Sequence, residues 1–426
     1  MTRIQSRTLI TLSIAACILF ALFFWPNSQN ALDEQMLAVR SMDEPIIYPY
    51  VLKMLSPSQS IHEAWGKLII YGDYHYGYPF YFLSCLVLLP VKMIFGDAFN
   101  TQTPLNLMLL RQFVSVLPML VSILLMVYLQ TRYQSLIKSA MMFGFLFCIS
   151  GVVRNNLNWW HPDALTVLFL VLTYFFLDKD RYKFGKFFYL AAICSGIATA
   201  IKLQGVFFGL TILFYLIIGG TQKKITFKKG LMAAVGFILV FLFAYIISNP
   251  FMFYDAPRQR YIDILTGKSG ELSSGYTHDN PAYYQTGPVW WYSTLVRWYG
   301  HPFFWAFTFI SLVLGCWKGQ NTGLNRHILL YFIPFSIYLL YFVAPKPDHY
   351  WLPVVFPFFS AIMNIPYILE EIIPKGSNRA GRRFEWIFNP YIIKASIGLI
   401  YGLIIYEWVL YISQDIPLFL SYIDKV

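Results

Sequence analysis

Residues 79–96 read PFYFLSCLVLLPVKMIFG, and whether this run crosses a membrane decides how the rest of the chain is threaded. It is long and apolar enough to span. It also follows Tyr78, opens on Pro79 and carries Pro90 and Lys92. Eleven other apolar segments lie near 8–25, 111–129, 138–154, 163–177, 187–202, 203–219, 230–248, 302–317, 327–344, 350–369 and 391–413. If 79–96 does not cross, the loops 130–138, 178–186, 221–229, 316–327 and 371–390 share the side of the N-terminus. With Arg3 and Arg7 those loops hold 18 of the 32 Lys and Arg residues. The opposite turns hold few, among them Arg154, Lys202 and Lys346. If 79–96 crossed, every later basic loop would face outward, against the preference of Lys and Arg for the cytoplasmic side. The reading is therefore eleven spans with the N-terminus inside, and 79–96 in the outer interface or dipping in and returning.

Composition agrees. Hydrophobic residues make up 58% of the 426, charged residues 12%, and mean hydropathy is +0.55. A soluble domain carries about 25% charge, so most of this chain belongs in lipid. The net charge of +11 sits in the loops that retention on the cytoplasmic side explains, and no basic domain stands apart to bind nucleic acid. Cys17, Cys85, Cys148, Cys194 and Cys316 lie in or beside apolar runs with no close pair, as packing residues do. Arg3 and Arg7 precede a long apolar run with no small-x-small cleavage site before Asn27, which reads as an uncleaved first helix rather than a signal peptide.

The expected fold is an all-α polytopic membrane protein, one transmembrane unit over 1–426 without a separate soluble domain. Two outside loops, 26–110 and 249–301, are too long for connectors. Both are rich in Tyr, Trp, Pro and Gly, which favours ordered segments on the membrane surface.

Chemistry is sought on that outer side. Asp33-Glu34 follows the first helix and is the first candidate for a general base, since a carboxylate held near an acceptor hydroxyl can take its proton. A helix exit would also carry such a pair. The next acidic pair, Asp43-Glu44 before Pro45, ranks lower, as a loop feature. Asp163 in Trp159-Trp160-His161-Pro162-Asp163 either caps a helix or serves as a second carboxylate. His161 alone is a weak metal signal, and no paired-His motif occurs. Outside cations run against the topological bias. Arg111, Arg258 and Arg260 are candidates for a phosphate clamp, and Lys202 for that or for snorkelling. Tyr76, among the tyrosines of 71–79, is a possible accessory. Gly267-Lys268-Ser269-Gly270 lacks nucleotide P-loop spacing.

In order and spacing these residues resemble the GT-C superfamily of membrane glycosyltransferases, nearest to the protein O-mannosyltransferases and lipid A aminoarabinose transferases. The shared features are an outside Asp-Glu after the first helix, the segment Tyr76-Gly77-Tyr78-Pro79-Phe80-Tyr81 ending at Phe95-Gly96, and an Arg111-led helix. An outside Asp then precedes Ala164–Leu177, a helix ends at Ala198–Gly205, and Asn249-Pro250 follows a later one. Lys346-Pro347-Asp348-His349-Tyr350-Trp351-Leu352-Pro353 is similar to the family's Arg-Tyr-x-x-Pro segment, with His349 where Arg is frequent. Gly77-Tyr78-Pro79-Phe80 replaces the usual Pro-Pro-Leu. The resemblance implies a polyprenyl phosphate sugar as donor and a hydroxyl on a protein, lipid or glycan as acceptor. It makes Asp33 the base, with Asp163 positioning the acceptor or the base. Arg111, Arg258 or Arg260, and His349-Tyr350, would stand on the phosphate. No nucleotide is expected, and a divalent ion is optional. The implied place is a bacterial plasma membrane, with the site on its outer face. A carrier for lipid-linked glycans, or a polymerase or ligase using a lipid diphosphate, remain alternatives.

Overall fold

The computed structural model describes residues 1–29, 43–153, 157, 159–274, 295–343, 348–372 and 390–417, and all its elements there are helical. The chain is an all-α, multi-pass membrane protein. Helices α1 (Arg3–Gln29), α2 (Glu44–Met54), α3 (Ile61–Ile69), α4 (Tyr78–Phe95) and α5 (Thr103–Leu110) form the first part. Then come α6 (Leu117–Thr131), α7 (Leu136–Cys148), α8 (Asp163–Asp180), α9 (Lys186–Ile201), α10 (Gly209–Thr221) and α11 (Phe227–Ile247). After α12 (Asp255–Ser274) follow α13 (Pro302–Lys318), α14 (Thr322–Tyr341), α15 (Leu352–Ser360), α16 (Asn364–Ile372) and α17 (Pro390–Leu410).

Each of the eleven expected spans has a helix. Among the described residues seven helical stretches are long and apolar enough to cross a membrane, and one of the seven is Tyr78–Thr101. Leu136–Cys148, Lys186–Ile201 and Pro302–Lys318 are apolar but shorter. The lipid-facing surfaces are plain on the outer helices. Ile10, Ile14, Ile18, Leu22 and Trp25 form an exposed stripe along α1. Hydrocarbon accepts such a stripe, because the helix interior satisfies its own backbone groups.

Side-chain contacts sort the bundle into two ends. At one end Gln5 Nε2 donates to the Arg132 carbonyl at 3.0 Å, and Arg132 pairs with Asp178. Asn321 Nδ2 reaches the same Asp178 at 2.9 Å, and Lys138 pairs with Glu370. The N-terminus and the basic connections therefore meet there. At the other end Arg111 donates to the Asn27 carbonyl at 3.0 Å, and the Gly77 N–H to the Ile201 carbonyl at 3.0 Å. The Tyr78 N–H meets Asn249 Oδ1 at 3.1 Å.

Segment 79–96 belongs to this second end. It is one continuous helix of 18 residues, about 27 Å long at 1.5 Å per residue, without the hairpin that dipping and returning requires. Its inner face packs on α2, α5 and the end of α9. Phe80, Tyr81, Leu88 and Val91 are buried there with Tyr48, Val51, Leu107 and Trp160. The stretch expected as the second outside loop likewise begins ordered, with a helical turn Pro250–Phe253 and then α12.

Between α5 and α6, residues Arg111–Val116 form a π-helical turn. Pro118 has no N–H to offer the Val114 carbonyl, and the widened turn accommodates the missing bond. The main core runs through the bundle, with Met119, Ile123, Leu170, Tyr174, Leu312, Ile328, Phe356 and Phe359 all buried. Near the basic end it contains a fully buried amide cluster. Asn325 and Asn364 exchange hydrogen bonds of 3.0 and 3.1 Å, and Gln130 joins them at 3.1 Å. Gly315 makes room, because a Cβ there would lie 2.5 Å from Asn364 Nδ2.

Candidate active site

The acidic pair that the sequence ranked second lies at the centre of the site. Pro45 at the first turn lets α2 begin directly after Asp43, so the pair opens a helix and is not a loop feature. Glu44 points inward and meets Arg111, 67 residues away. Arg111 Nε and Nη2 donate to its two carboxylate oxygens at 2.9 and 2.5 Å. Each side chain is 1% exposed. The Trp160 N–H adds a third donor to Glu44 at 2.7 Å. This forked pair ties α1, α2, the π turn and the 159–163 segment together. Arg111 was expected on the donor phosphate, but its guanidinium is buried and committed to Glu44 and Asn27.

Asp43, one residue earlier, turns the other way. Its side chain is 34% exposed. Oδ2 accepts from the Tyr76 hydroxyl at 3.3 Å and lies 3.5 Å from His161 Nε2. Tyr76 Oη and His161 Nε2 are 2.9 Å apart. On its far side His161 Nδ1 is 2.8 Å from Asp163 Oδ2, and Lys202 Nζ is 2.6 Å from Asp163 Oδ1. His161 and Asp163 are wholly buried. The sequence thus folds four charged groups into a row that runs from a part-exposed carboxylate through two buried groups to a largely covered ammonium: Asp43, His161, Asp163, Lys202.

Packing holds the row. Trp159 stacks on His161 with ring centroids 4.0 Å apart, and His349 lies edge-on to it at 5.2 Å. Lys202 Nζ sits 5.2 Å above the Tyr350 ring. Tyr76 is carried by a segment with little freedom. Tyr71 Oη donates to the Tyr76 carbonyl at 3.0 Å. At Gly77 a Cβ would fall 1.5 Å from the Ala200 carbonyl oxygen, so only glycine fits. Asp73, 5% exposed, accepts from Tyr81 and lies 2.6 Å from His75 Nδ1.

Electrostatics follow from this packing. Burial pushes the Asp43 carboxyl up, but the contact and charge of His161, with His349 and Lys202 behind it, outweigh burial and hold it below the usual range. Burial alone would strip His161 of its proton. Asp163, and then Asp43, reverse that and hold the imidazole above its ordinary value, against the opposing charge of Lys202. Asp73 is likewise desolvated, yet His75 and Tyr81 keep it below the usual range.

Three further residues bear on a metal. His161, Asp163 and His349 offer ligand atoms within 4.8 Å of one another. The Lys202 ammonium on Asp163 Oδ1 already supplies the positive charge such an ion would bring, and His161 Nε2 faces Tyr76 and Asp43. The set fits an ammonium better than a divalent cation.

Of the residues singled out in the sequence, the structure gathers Asp163, His161, Lys202, Tyr76, His349 and Tyr350. It leaves Arg258 on the exposed face of α12, paired with Asp255 of its own helix. Arg260 is exposed on the same helix, where its charge is felt at Tyr74. Asp33 and Glu34 lie outside the described residues. Sequence reasoning ranked Asp43 and Glu44 too low and did not single out Asp73. The available signal for the first two was Asp-Glu-Pro followed by Ile47, Tyr48 and Val51 at helical spacing.

No curated protein matches the chain. The family model of glycosyltransferase family 87 matches residues 81–331, more than half of the 426, and the chain belongs to that family. It is a membrane glycosyltransferase.

Proposed function

We propose that this family 87 glycosyltransferase moves a sugar from a polyprenyl phosphate donor to a hydroxyl acceptor on a glycan, lipid or protein. In this reading Asp43 is the general base. The observation that carries it is the contrast in exposure along the charged row. Asp43 is the member open to a substrate, at 34%, while His161 and Asp163 behind it are fully buried. The role that the sequence suggested for Asp33 passes to Asp43 on this ground.

The reaction is a single displacement. The acceptor oxygen attacks the anomeric carbon as its proton passes to Asp43. The bond from that carbon to the phosphate oxygen breaks, and polyprenyl phosphate leaves with the electron pair. The anomeric centre inverts. Developing charge on the phosphate falls to Lys202, His349 and Tyr350, with Arg258 and Arg260 at the rim for the incoming headgroup. Removing one such donor typically costs about 3 kcal/mol of transition-state stabilisation. Asp163 orients Lys202 and His161. The scheme uses no nucleotide and routes no step through a metal. The basic end of the bundle faces the cytoplasm, as positive loops favour, so transfer takes place on the outer face of a bacterial plasma membrane. The lipid tail lies among the exposed apolar helices.

Purified protein incubated with a panel of short-chain polyprenyl phosphate sugars and envelope extracts tests this. Wild type should release polyprenyl phosphate with one donor. Asp43→Asn should lose about 100- to 10,000-fold in turnover, the usual range for a general base. Full activity of Asp43→Asn, with Asp33→Asn inactive, would return the base to Asp33.

A further inference from the structure

The Tyr76 hydroxyl has one hydrogen. Asp43 Oδ2, a carboxylate oxygen 3.3 Å away, can only accept it, and the hydroxyl oxygen is 2.9 Å from His161 Nε2. A hydroxyl that donates to Asp43 must accept from His161, so Nε2 carries a proton. Nδ1 makes no hydrogen bond, but it lies 2.8 Å from the buried Asp163 carboxylate, and an opposite charge that close favours the second proton. The geometry therefore draws an imidazolium between two carboxylates, with Lys202 closing the row. Charges alternate along it: minus, plus, minus, plus.

We propose that His161 is the positioning residue of the base: with Tyr76 it clasps Asp43 Oδ2 from the buried side, and Asp163 with Lys202 holds the imidazole in place. This rests on reading Asp43 as the base, and it assigns a task to the fully buried His161 and Asp163, which do not touch the sugar. Stacking on Trp159 fixes the ring plane, and the Trp160 N–H bond to Glu44 fixes the backbone beside it. Among the described residues the groups facing the clasp include Tyr76 and Asp73 from the 71–77 segment, Asp163 from α8, Lys202 at the end of α9, His349 and Tyr350 from the turn before α15, and Glu44 from α2.

The chemical consequence concerns ionisation. A carboxylate beside an imidazolium stays charged at lower pH, because an opposite charge favours the ionised form. It is also a weaker base. Sugar transfer tolerates this, since its transition state resembles an oxocarbenium ion and the acceptor proton becomes acidic only as the new bond forms. The clasp thus trades basicity for a base that is always ready.

The direct test measures ionisation of Asp43 without turnover. Dicyclohexylcarbodiimide reacts with protonated carboxyls. Labelling of Asp43 is followed by peptide mass spectrometry across pH in the purified full chain, for wild type, His161→Gln and Tyr76→Phe. The labelling midpoint should rise by about one pH unit in His161→Gln, a tenfold change in the ionised ratio, and by less in Tyr76→Phe. A midpoint unmoved in both variants overturns the proposal. So does the absence of label at every pH in all three proteins. Tyr76→Phe removes a single oxygen and decides the matter if His161→Gln does not fold. The two readings fail separately. Undiminished turnover by Asp43→Asn sinks the base assignment and leaves the labelling result standing. An inactive Asp43→Asn with an unmoved midpoint sinks the clasp alone.

Discussion

Replacing Arg111 by Met separates two roles that a sequence cannot separate. If Arg111 binds the donor phosphate, the variant should fold well and bind donor poorly. The structure makes the opposite forecast. The guanidinium gives three hydrogen bonds, of 2.9 and 2.5 Å to Glu44 and 3.0 Å to the Asn27 carbonyl. At 1% exposure Glu44 cannot turn to water once its partner is gone. Breaking a buried pair from one side costs roughly 3–5 kcal/mol. The double variant Arg111→Met, Glu44→Leu removes both charges and should recover most of that loss, because a buried pair and an apolar replacement are often near equal. The coupling between the two sites should therefore reach at least about 2 kcal/mol of opposite sign. Unfolding of the four proteins of the cycle, followed in detergent by intrinsic fluorescence against denaturant, measures it. A single variant destabilised by less than about 1 kcal/mol, with a raised KM for donor, would refute the reasoning and restore Arg111 to the phosphate.

Three other perturbations follow from the same contacts. Gly77→Ala places a methyl 1.5 Å from the Ala200 carbonyl oxygen. It should destabilise by at least about 3 kcal/mol and shift the yield of monodisperse protein on size-exclusion chromatography, whereas normal yield would show that the 71–77 segment moves aside. Lys202→Met leaves the buried Asp163 without its ammonium at 2.6 Å. It should cost about 3–5 kcal/mol by the same denaturant assay, with Lys202→Arg milder, and equal losses for the two would contradict a charge-based role. The third concerns acid. Asp73 and Asp43 are held below their ordinary value of about 3.8, so their stabilisation is present above that value and is lost as pH falls through the folded one. Asp73→Asn should lower thermal stability at neutral pH and flatten its decline in acid, and an acid decline as steep as wild type would mean that Asp73 is not the group titrating. His161 runs the other way. Its value is raised above 6.5, so its share is full below that and is lost as pH rises through the folded value.

The site shows how chemistry is built at the end of a membrane bundle. Burial alone would discharge His161 and raise Asp43, yet each is kept charged by the next group in the row. The desolvation cost is offset by pairing, and the stiffness of 71–81 and of the Trp159–His161 stack keeps the partners in reach.

Much of this was legible without coordinates. The spans could be read because lipid offers no hydrogen bonds, which makes hydropathy a local property of each segment. That the basic connections share one end could be read from a counting rule for Lys and Arg, and contacts such as Gln5 with Arg132 bring them together there. Asp163 could be singled out as a carboxylate at a helix start, Lys202 as a cation against the topological bias, and His161 and Tyr76 as their neighbours in aromatic segments. What only the tertiary structure decided was which groups meet. Asp33-Glu34 and Asp43-Glu44 are the same two letters ten positions apart. The second pair is distinguished by Arg111, 67 residues on, and by the Trp160 amide, 116 residues on. Arg111 looked like a phosphate ligand because an arginine at a membrane exit needs a partner, and nothing local says that the partner is a buried glutamate. Pairing of charges depends on distances between helices, and those are set by packing across the whole bundle rather than by any one segment.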